Sequence, residues 1–356
     1  MERPTAHIHA IGTAVPSHDI HRSFIDWAQP RLADPRERTL FRRMAARSGI
    51  EHRWSVLPQA ADGGSPVELG GFYHGNHPPS TAQRMAVYAE AAPALAIDAI
   101  MALGDKIPID RITHLVVASC TGFVAPGVDQ IIIQRLGLSP AIERTLVGFM
   151  GCYAAVAALR VAHHIARSDS ESRVLIVTVE LSSLHLTGRQ DIESLLAALQ
   201  FGDGAAAALV SAEPSGLALD RFFCATIPDS SELIRWTIGD EGFEMTLSGQ
   251  VPGRIANALR EPDMRGQMLQ GRMPEESVWA VHAGGRSILD AVANGLDLPE
   301  DALDESRSVL EAYGNMSSAT LMFVLARMLK RKDVQSGVAL AFGPGLAAEG
   351  FDFSAS

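Results

Sequence analysis

Gly148-Phe149-Met150-Gly151-Cys152-Tyr153-Ala154-Ala155-Val156-Ala157-Ala158-Leu159 sets a cysteine between a glycine-bearing turn and a long alanine-rich apolar run. A glycine directly before a buried helix permits a tight turn and close approach of another group. The helix start offers amides without intrahelical partners and the positive end of the peptide dipoles. Both lower a thiol pKa and stabilise negative charge on a nearby acyl oxygen, which makes Cys152 the leading candidate nucleophile. An isolated cysteine of this kind is more often a small core residue. The segments on either side change that balance.

Upstream, His114–Ser119 (HLVVAS) reads as a buried strand, as do Val174–Val179, Ala205–Val210 and Val278–Val281 further on. Tyr153–Ile165 and Ser318–Leu329 have the length and composition of buried helices between them. This alternation predicts an α/β layered fold. The order also repeats. The first half runs HLVVASCTG (114–122), GFMGCYAAVAAL (148–159) and FGDGAAAALV (201–210). The second runs VWAVHAGG (278–285), EAYGNMSSATLMFVL (311–325) and VALAFGPGLAAEGF (338–351). Two similar halves are expected, residues 1–212 and 213–356, with equivalent helix starts converging on one site. Cys152 and Asn315 occupy equivalent places in this scheme. Pro58–Ser80, rich in Gly and Pro, reads as a surface excursion, and Glu261–Glu276 as another peripheral element.

The second half supplies partners for the thiol. His282 ends the apolar run VWAV and precedes Ala283-Gly284-Gly285, which places it for access. It can hold a thiolate as an ion pair and later donate to a carbonyl oxygen. Asn315 precedes the next helix, where its bland role is an N-cap. Its chemical role is a neutral amide donor to an oxygen that becomes an enolate, stabilising the anion without protonating it. Cys120 lies at a strand end and could line the same cavity, whereas Cys224 reads as core. His163 and His164, or His74 and His77, lack the acidic or cysteine partners of a metal site. Gly343-Pro344-Gly345 has no lysine placed for a phosphate loop.

Bulk properties narrow the classes. The 356 residues carry 30 Lys and Arg against 41 Asp and Glu, a formal charge of −11, so general attraction to nucleic acid or anionic membrane is not expected. Three scattered cysteines make neither a disulfide scaffold nor a zinc cluster. No basic-then-apolar leader and no run near 20 apolar residues is present, so the expected location is the cytoplasm, without integral membrane association. An anionic substrate needs a local basic patch. Arg36, Arg38, Arg42, Arg43 and Arg47 form the clearest one, with Arg43 and Arg47 on one helical face.

Taken in order, Gly151-Cys152-Tyr153-Ala154, Phe201-Gly202-Asp203-Gly204-Ala205, His282-Ala283-Gly284-Gly285, Tyr313-Gly314-Asn315-Met316-Ser317-Ser318 and Phe342-Gly343-Pro344-Gly345 resemble the type III polyketide synthases. These are the chalcone and stilbene synthase-like branch of the thiolase-fold condensing enzymes. The resemblance runs from Ile11-Gly12-Thr13-Ala14-Val15-Pro16 to the closing loop. It implies a thiolase-like duplicated fold, a homodimer, acyl-CoA and malonyl-CoA as substrates, and no metal or redox cofactor. Cys152 then corresponds to the acyl-carrying nucleophile, His282 to the family's histidine and Asn315 to its decarboxylation asparagine. Phe201 matches one gatekeeper phenylalanine, and Met245 stands where a second is often found. Arg43 and Arg47 match basic positions associated with CoA docking. Cys120, Ala125, His185, Ala197, Trp236, Met245 and Ser317 match cavity-lining positions, with Trp236 in place of a small residue. Ala82–Tyr88 and Ala91-Ala92-Pro93 look more like bacterial members, which implies an aliphatic starter and an alkylpyrone or alkylresorcinol product. A malonyl-primed, tetrahydroxynaphthalene-type synthase and a ketoacyl-carrier-protein synthase III-like enzyme are the alternatives.

Overall fold

The computed structural model describes residues 4–60, 64–75, 77–104 and 108–356. Its main sheet is built from Ala6–Ala14 (β1), His114–Ser119 (β2), Glu143–Gly148 (β3), Arg173–Leu181 (β4), Asp203–Ser211 (β5) and Leu217–Thr226 (β6). A separate hairpin pairs Ile234–Gly239 (β7) with Gly242–Leu247 (β8), a two-residue pair joins His18–Asp19 to Trp54–Ser55, and Val278–Val281 (β9), Ser336–Gly343 (β10) and Ala347–Ala355 (β11) complete the main sheet. The nine strands lie in the order β9-β10-β11-β6-β1-β5-β4-β2-β3. The β2–β3, β2–β4 and β9–β10 pairs are parallel, and the others are antiparallel.

The order is nearly a mirror about its middle. From β1 outward run β5, β4 and β2; from β6 outward run β11, β10 and β9. The halves meet at β1 and β6, which pair over only Ala6–Ile8 and Leu217–Leu219. This is the duplication expected from the repeated segments, and it pairs β2 with β9. Cys120 and His282, each one residue past its strand, therefore occupy equivalent corners.

Side-chain alternation explains why these strands read as unbroken apolar runs. In β2, Val116 and Ala118 pack inward on the helices Ala154–Ser168 (α3) and Ser318–Met328 (α6), whereas Leu115 and Val117 face Thr81–Met101 (α2). In the second half, Ala339 and Ala341 join the inner core, while Val338 and Leu340 pack against Val251–Arg260 (α4) and Arg286–Leu296 (α5). The layers are thus helix, sheet, helix, sheet, helix. The central pair must be apolar all round: in α6 every residue except Arg327 is buried. Six alanines from Ala154 to Ala166 let α3 approach its neighbours closely.

The expected elements lie where they were read, with ends moved by up to three residues at each end. Pro58–Ser80 differs in role. Residues 61–63 and 76 lie outside the described set, but Tyr73 folds back so that its hydroxyl donates to Ser183 O at 2.6 Å. Cys224, expected in the core, is exposed, because strand alternation buries Phe223 and turns Cys224 outward.

Candidate active site

Cys152 sits in a short 3₁₀ turn, Gly151–Tyr153, that feeds α3. Gly151 has φ +74°, and a side chain there would run into the ring of Pro344. On the facing loop, a Cβ on Gly343 would lie 2.7 Å from the ring of Tyr153. The nucleophile turn and the Phe342–Gly345 loop therefore interlock through two missing side chains. That is the physical meaning of the Phe-Gly-Pro-Gly run, which carries no phosphate-binding signature.

His282 continues β9, its amide donating to Leu340 O at 2.8 Å. The ring is buried, yet neither Nδ1 nor Nε2 has a partner among the described residues. Buried polar atoms are almost always paired, so two free ring nitrogens facing a cavity mark a place left for substrate. Asn315 is held on several sides. Its amide donates to Gln200 O at 2.8 Å and its carbonyl accepts from Gly202 N at 3.0 Å. Oδ1 accepts from Ser317 N at 2.8 Å and Nδ2 donates to Gly284 O at 3.1 Å, which leaves one side-chain N–H free. The turn is strained at Ser317, with φ +49° and ψ −127°.

Cys152, His282 and Asn315 line one cavity of about 670 Å³, together with Cys120, Thr121, Ser317 and a largely aliphatic wall that includes Ile234, Leu247, Val251 and Ile255. Burial pushes the Cys152 thiol up to about 11, and Ser317 Oγ, 3.7 Å from Sγ, pulls it back only in part. Burial pushes the His282 imidazole down to about 3. The cavity thus holds a neutral thiol and a neutral imidazole. Proton transfer between them makes opposite charges in one buried cavity, where their attraction offsets the desolvation that opposes each charge alone.

Glu180 was not singled out from the sequence, although a carboxylate ending the apolar run VLIVTV is a readable signal. It is fully buried under Cys120: Oε2 accepts from Cys120 N at 3.0 Å and from Thr121 Oγ1 at 2.9 Å, and Oε1 from Ser318 Oγ at 2.5 Å. Burial raises its pKa from 4.5 to about 7 despite those donors. The unfolded chain releases this proton near 4.5 and the folded chain near 7. The protonated acid's contribution to stability is therefore full below the unfolded value and is lost as pH rises through about 7. Glu180→Gln should remove that loss, shrinking the fall in unfolding free energy between pH 4.5 and 7 by about 3 kcal/mol. Denaturant titrations of both proteins at several pH values check this, and parallel curves would contradict it.

A second cavity, of about 900 Å³, adjoins the first. Ser182, Phe201, Trp236 and Met245 line both, so they form the partition. Trp236 and Met245 are direct cross-strand partners in the β7–β8 hairpin. The Trp236 indole N–H donates to Cys120 O at 2.8 Å and its ring meets His185 and Phe243 edge-on. His185 and Ala197 belong to this second cavity. His185 is fixed as a neutral ring: Nε2–H donates to Thr121 O at 2.7 Å and Nδ1 accepts from Phe243 N at 3.0 Å. Ala125 is exposed and lines neither cavity of the chain. Arg43 and Arg47 line a separate outer cleft of about 1240 Å³ beside Gln200, while Arg36, Arg38 and Arg42 face elsewhere.

Two family models cover nearly the whole chain. Residues 1–214 match the chalcone and stilbene synthases, N-terminal domain, and residues 220–355 the C-terminal domain. The chain belongs to the chalcone and stilbene synthase family. As a type III polyketide synthase-like member it is an enzyme of the condensing, acyl-transferring kind. Among its relatives, the "alpha-pyrone synthesis polyketide synthase-like Pks18" of Mycobacterium tuberculosis is 31% identical, over 97% of this chain and 90% of its own length. That match supports placement in the bacterial branch. Bisdemethoxycurcumin synthase of Oryza sativa subsp. japonica is 36% identical over 76% of this chain and 73% of its own. The solved structure of PKS-I from the brown alga Ectocarpus siliculosus superposes with a TM-score of 0.90 at 29% identity, covering all of both chains. The type III polyketide synthase domain of Steely1 from Dictyostelium does so at 0.88 and 27%, covering 99% of each. Among the described residues no helix is long and apolar enough to cross a membrane.

Proposed function

We propose that this family member condenses an aliphatic acyl-CoA starter with malonyl-CoA, repeatedly, and releases an alkylpyrone or alkylresorcinol. The observation that carries the chemistry is the convergence of a thiol, an unpartnered buried histidine and an amide with a free N–H on one cavity. Cys152, deprotonated by His282, attacks the starter thioester; the C–S bond to CoA breaks and the thiolate leaves with the proton from His282. Malonyl-CoA then loses CO₂, and its electron pair moves onto the thioester oxygen, where His282 and Asn315 donate hydrogen bonds to the enolate. The enolate carbon attacks the Cys152 thioester and expels the Cys152 sulfur. The longer chain returns to that sulfur for the next round and finally cyclises.

Support for the aliphatic starter comes from the apolar cavity wall and from the mycobacterial relative named for α-pyrone synthesis. Each methylene buried there contributes about 0.8 kcal/mol, so tail length is selected steeply. Residues 1–212 and 213–356 serve as the two halves, the first carrying Cys152 and the second His282 and Asn315; β5 and β6 flank that boundary. Cys120, Phe201, Met245, Trp236 and Ser317 shape the reacting end, with Ala197 and His185 beyond the partition. Arg43 and Arg47 dock CoA. The protein works as a cytoplasmic homodimer, consistent with the free edge of β3 and the exposed Leu146 and Phe123 beside it. Ala125 belongs to that same surface.

Competition among malonyl-CoA alone and acetyl-, hexanoyl-, lauroyl-, palmitoyl- and aromatic CoA thioesters, with products resolved by mass and ring type, tests this reading. Preference for a fatty acyl starter is expected. Efficient polyketide formation from malonyl-CoA alone, with no gain from fatty acyl-CoA, would favour the tetrahydroxynaphthalene-type alternative, which the Trp236 partition suits because it shortens the first cavity. Trp236→Gly should join the two cavities and shift the preferred starter by several carbons toward longer chains, about tenfold in relative kcat/KM at the longest. An unchanged chain-length profile would show that the tail does not pass the partition.

A further inference from the structure

Arg286 stands at the outer cleft with Arg43 and Arg47. Three guanidinium groups face a single acidic side chain there, Asp290, among the described lining residues. In a chain of formal charge −11 this is a local reversal of sign. Asp290 does little to neutralise Arg286: its Oδ1 pairs with Arg307 at 2.8 Å, while its Oδ2 lies 3.7 Å from Arg286 Nε. The other contact of Arg286 is a long one, Nη1 to Arg47 O at 3.4 Å, and its side chain is 55% exposed. It is held loosely beside Arg47 with its charge available.

The backbone adds to this. Arg286 is the first residue of the 11-residue helix α5, whose first backbone bonds run from Ile288 and Leu289 to Gly285 O. The Arg286 and Ser287 amides therefore remain at the open N-terminus, and Gly285 supplies no side-chain cap. The cleft is also tied to the chemistry by short paths. Gln200 borders the cleft and Phe201 the catalytic cavity; Gly285 abuts the Gln200 side chain, and His282 lies four residues before Arg286. An anion seated on Arg286 thus lies against the backbone segments that carry His282 and Phe201.

Resting on the CoA-thioester reading above, we infer that Arg286 is a third phosphate-binding residue of the outer cleft, beside Arg43 and Arg47. CoA carries a diphosphate and a separate ribose phosphate, three groups for three guanidiniums, whereas a bare pantetheine arm carries at most one. Arginine suits the task because its fork can bind phosphate oxygens in pairs.

The test compares malonyl-CoA with malonyl-N-acetylcysteamine, a thioester without phosphates, and adds calorimetric titration with free CoA. Arg286→Ala should raise KM for malonyl-CoA about tenfold, leave kcat within about twofold and weaken CoA binding by the same factor. It should leave kcat/KM for the phosphate-free thioester unchanged, and Arg286→Lys should recover part of the loss. Equal losses on both thioesters, or unchanged KM and CoA affinity, would overturn the assignment. If wild-type protein binds CoA in an Arg286-dependent way yet forms no polyketide, the docking role stands and the condensation reading falls.

Discussion

Asn315→Ala should slow malonyl-CoA decarboxylation about 10²–10³-fold while acylation of Cys152 by a starter CoA stays within a few-fold of wild type. The free Nδ2–H of Asn315 is one of two neutral donors available to an enolate oxygen, the other being the His282 ring. Charge develops on that oxygen only as CO₂ leaves, so the lost hydrogen bond is one made in the transition state, and kcat falls rather than affinity. Starter transfer relies on the thiol and needs no enolate. Asn315 also bridges Gly284 O and Ser317 N, so alanine could loosen the turn. Asn315→Asp controls for this by keeping the acceptor to Ser317 N while losing the donor, and it should lose decarboxylation at least as fully. Stopped-flow release of CO₂ read beside intact-protein mass separates the two steps. Equal loss of both would remove the specific role of Asn315.

Cys152→Ala should abolish starter acylation and lower polyketide formation by at least about 10⁴-fold. Removing the sulfur costs little fold stability, about 1 kcal/mol or less, because its hydrogen-bond contact is a long one from Ser317. Decarboxylation of malonyl-CoA should survive, since His282 and Asn315 are untouched; with no thioester to attack, the enolate is protonated and acetyl-CoA accumulates. Cys120 does not substitute. Its thiol is buried and its pKa is pushed well above the ordinary range by burial and by the neighbouring Glu180. Starter-dependent product from the Cys152→Ala enzyme would defeat the assignment.

Much of this site is legible in the chain because its parts lie at element ends. Cys152, His282 and Asn315 each follow or precede an apolar run, and the glycines beside them announce close approach. The repeated segments foretold the mirrored sheet, since the same alternation that buries Val116 on one face and Val117 on the other leaves an apolar run in both halves. What stayed hidden depends on pairings distant in sequence. Trp236 reads as one bulky residue on a strand; only its register opposite Met245 and its bond to Cys120 O make it a partition. Arg286 reads as an ordinary helix residue until α5 is set against Arg47. Cys224 misled because Arg221-Phe222-Phe223-Cys224 looks uniformly apolar beyond its first residue, while a strand turns alternate side chains outward.

The most direct measurement is peptide mapping by mass spectrometry of the wild-type enzyme, quenched at millisecond to second times after mixing with a fatty acyl-CoA and isotopically labelled malonyl-CoA. The peptide containing Cys152 should first carry the unlabelled starter and then the same starter extended by labelled two-carbon units, before free product appears. Product accumulating with the Cys152 peptide unmodified throughout, or with the growing chain on another residue, would contradict this.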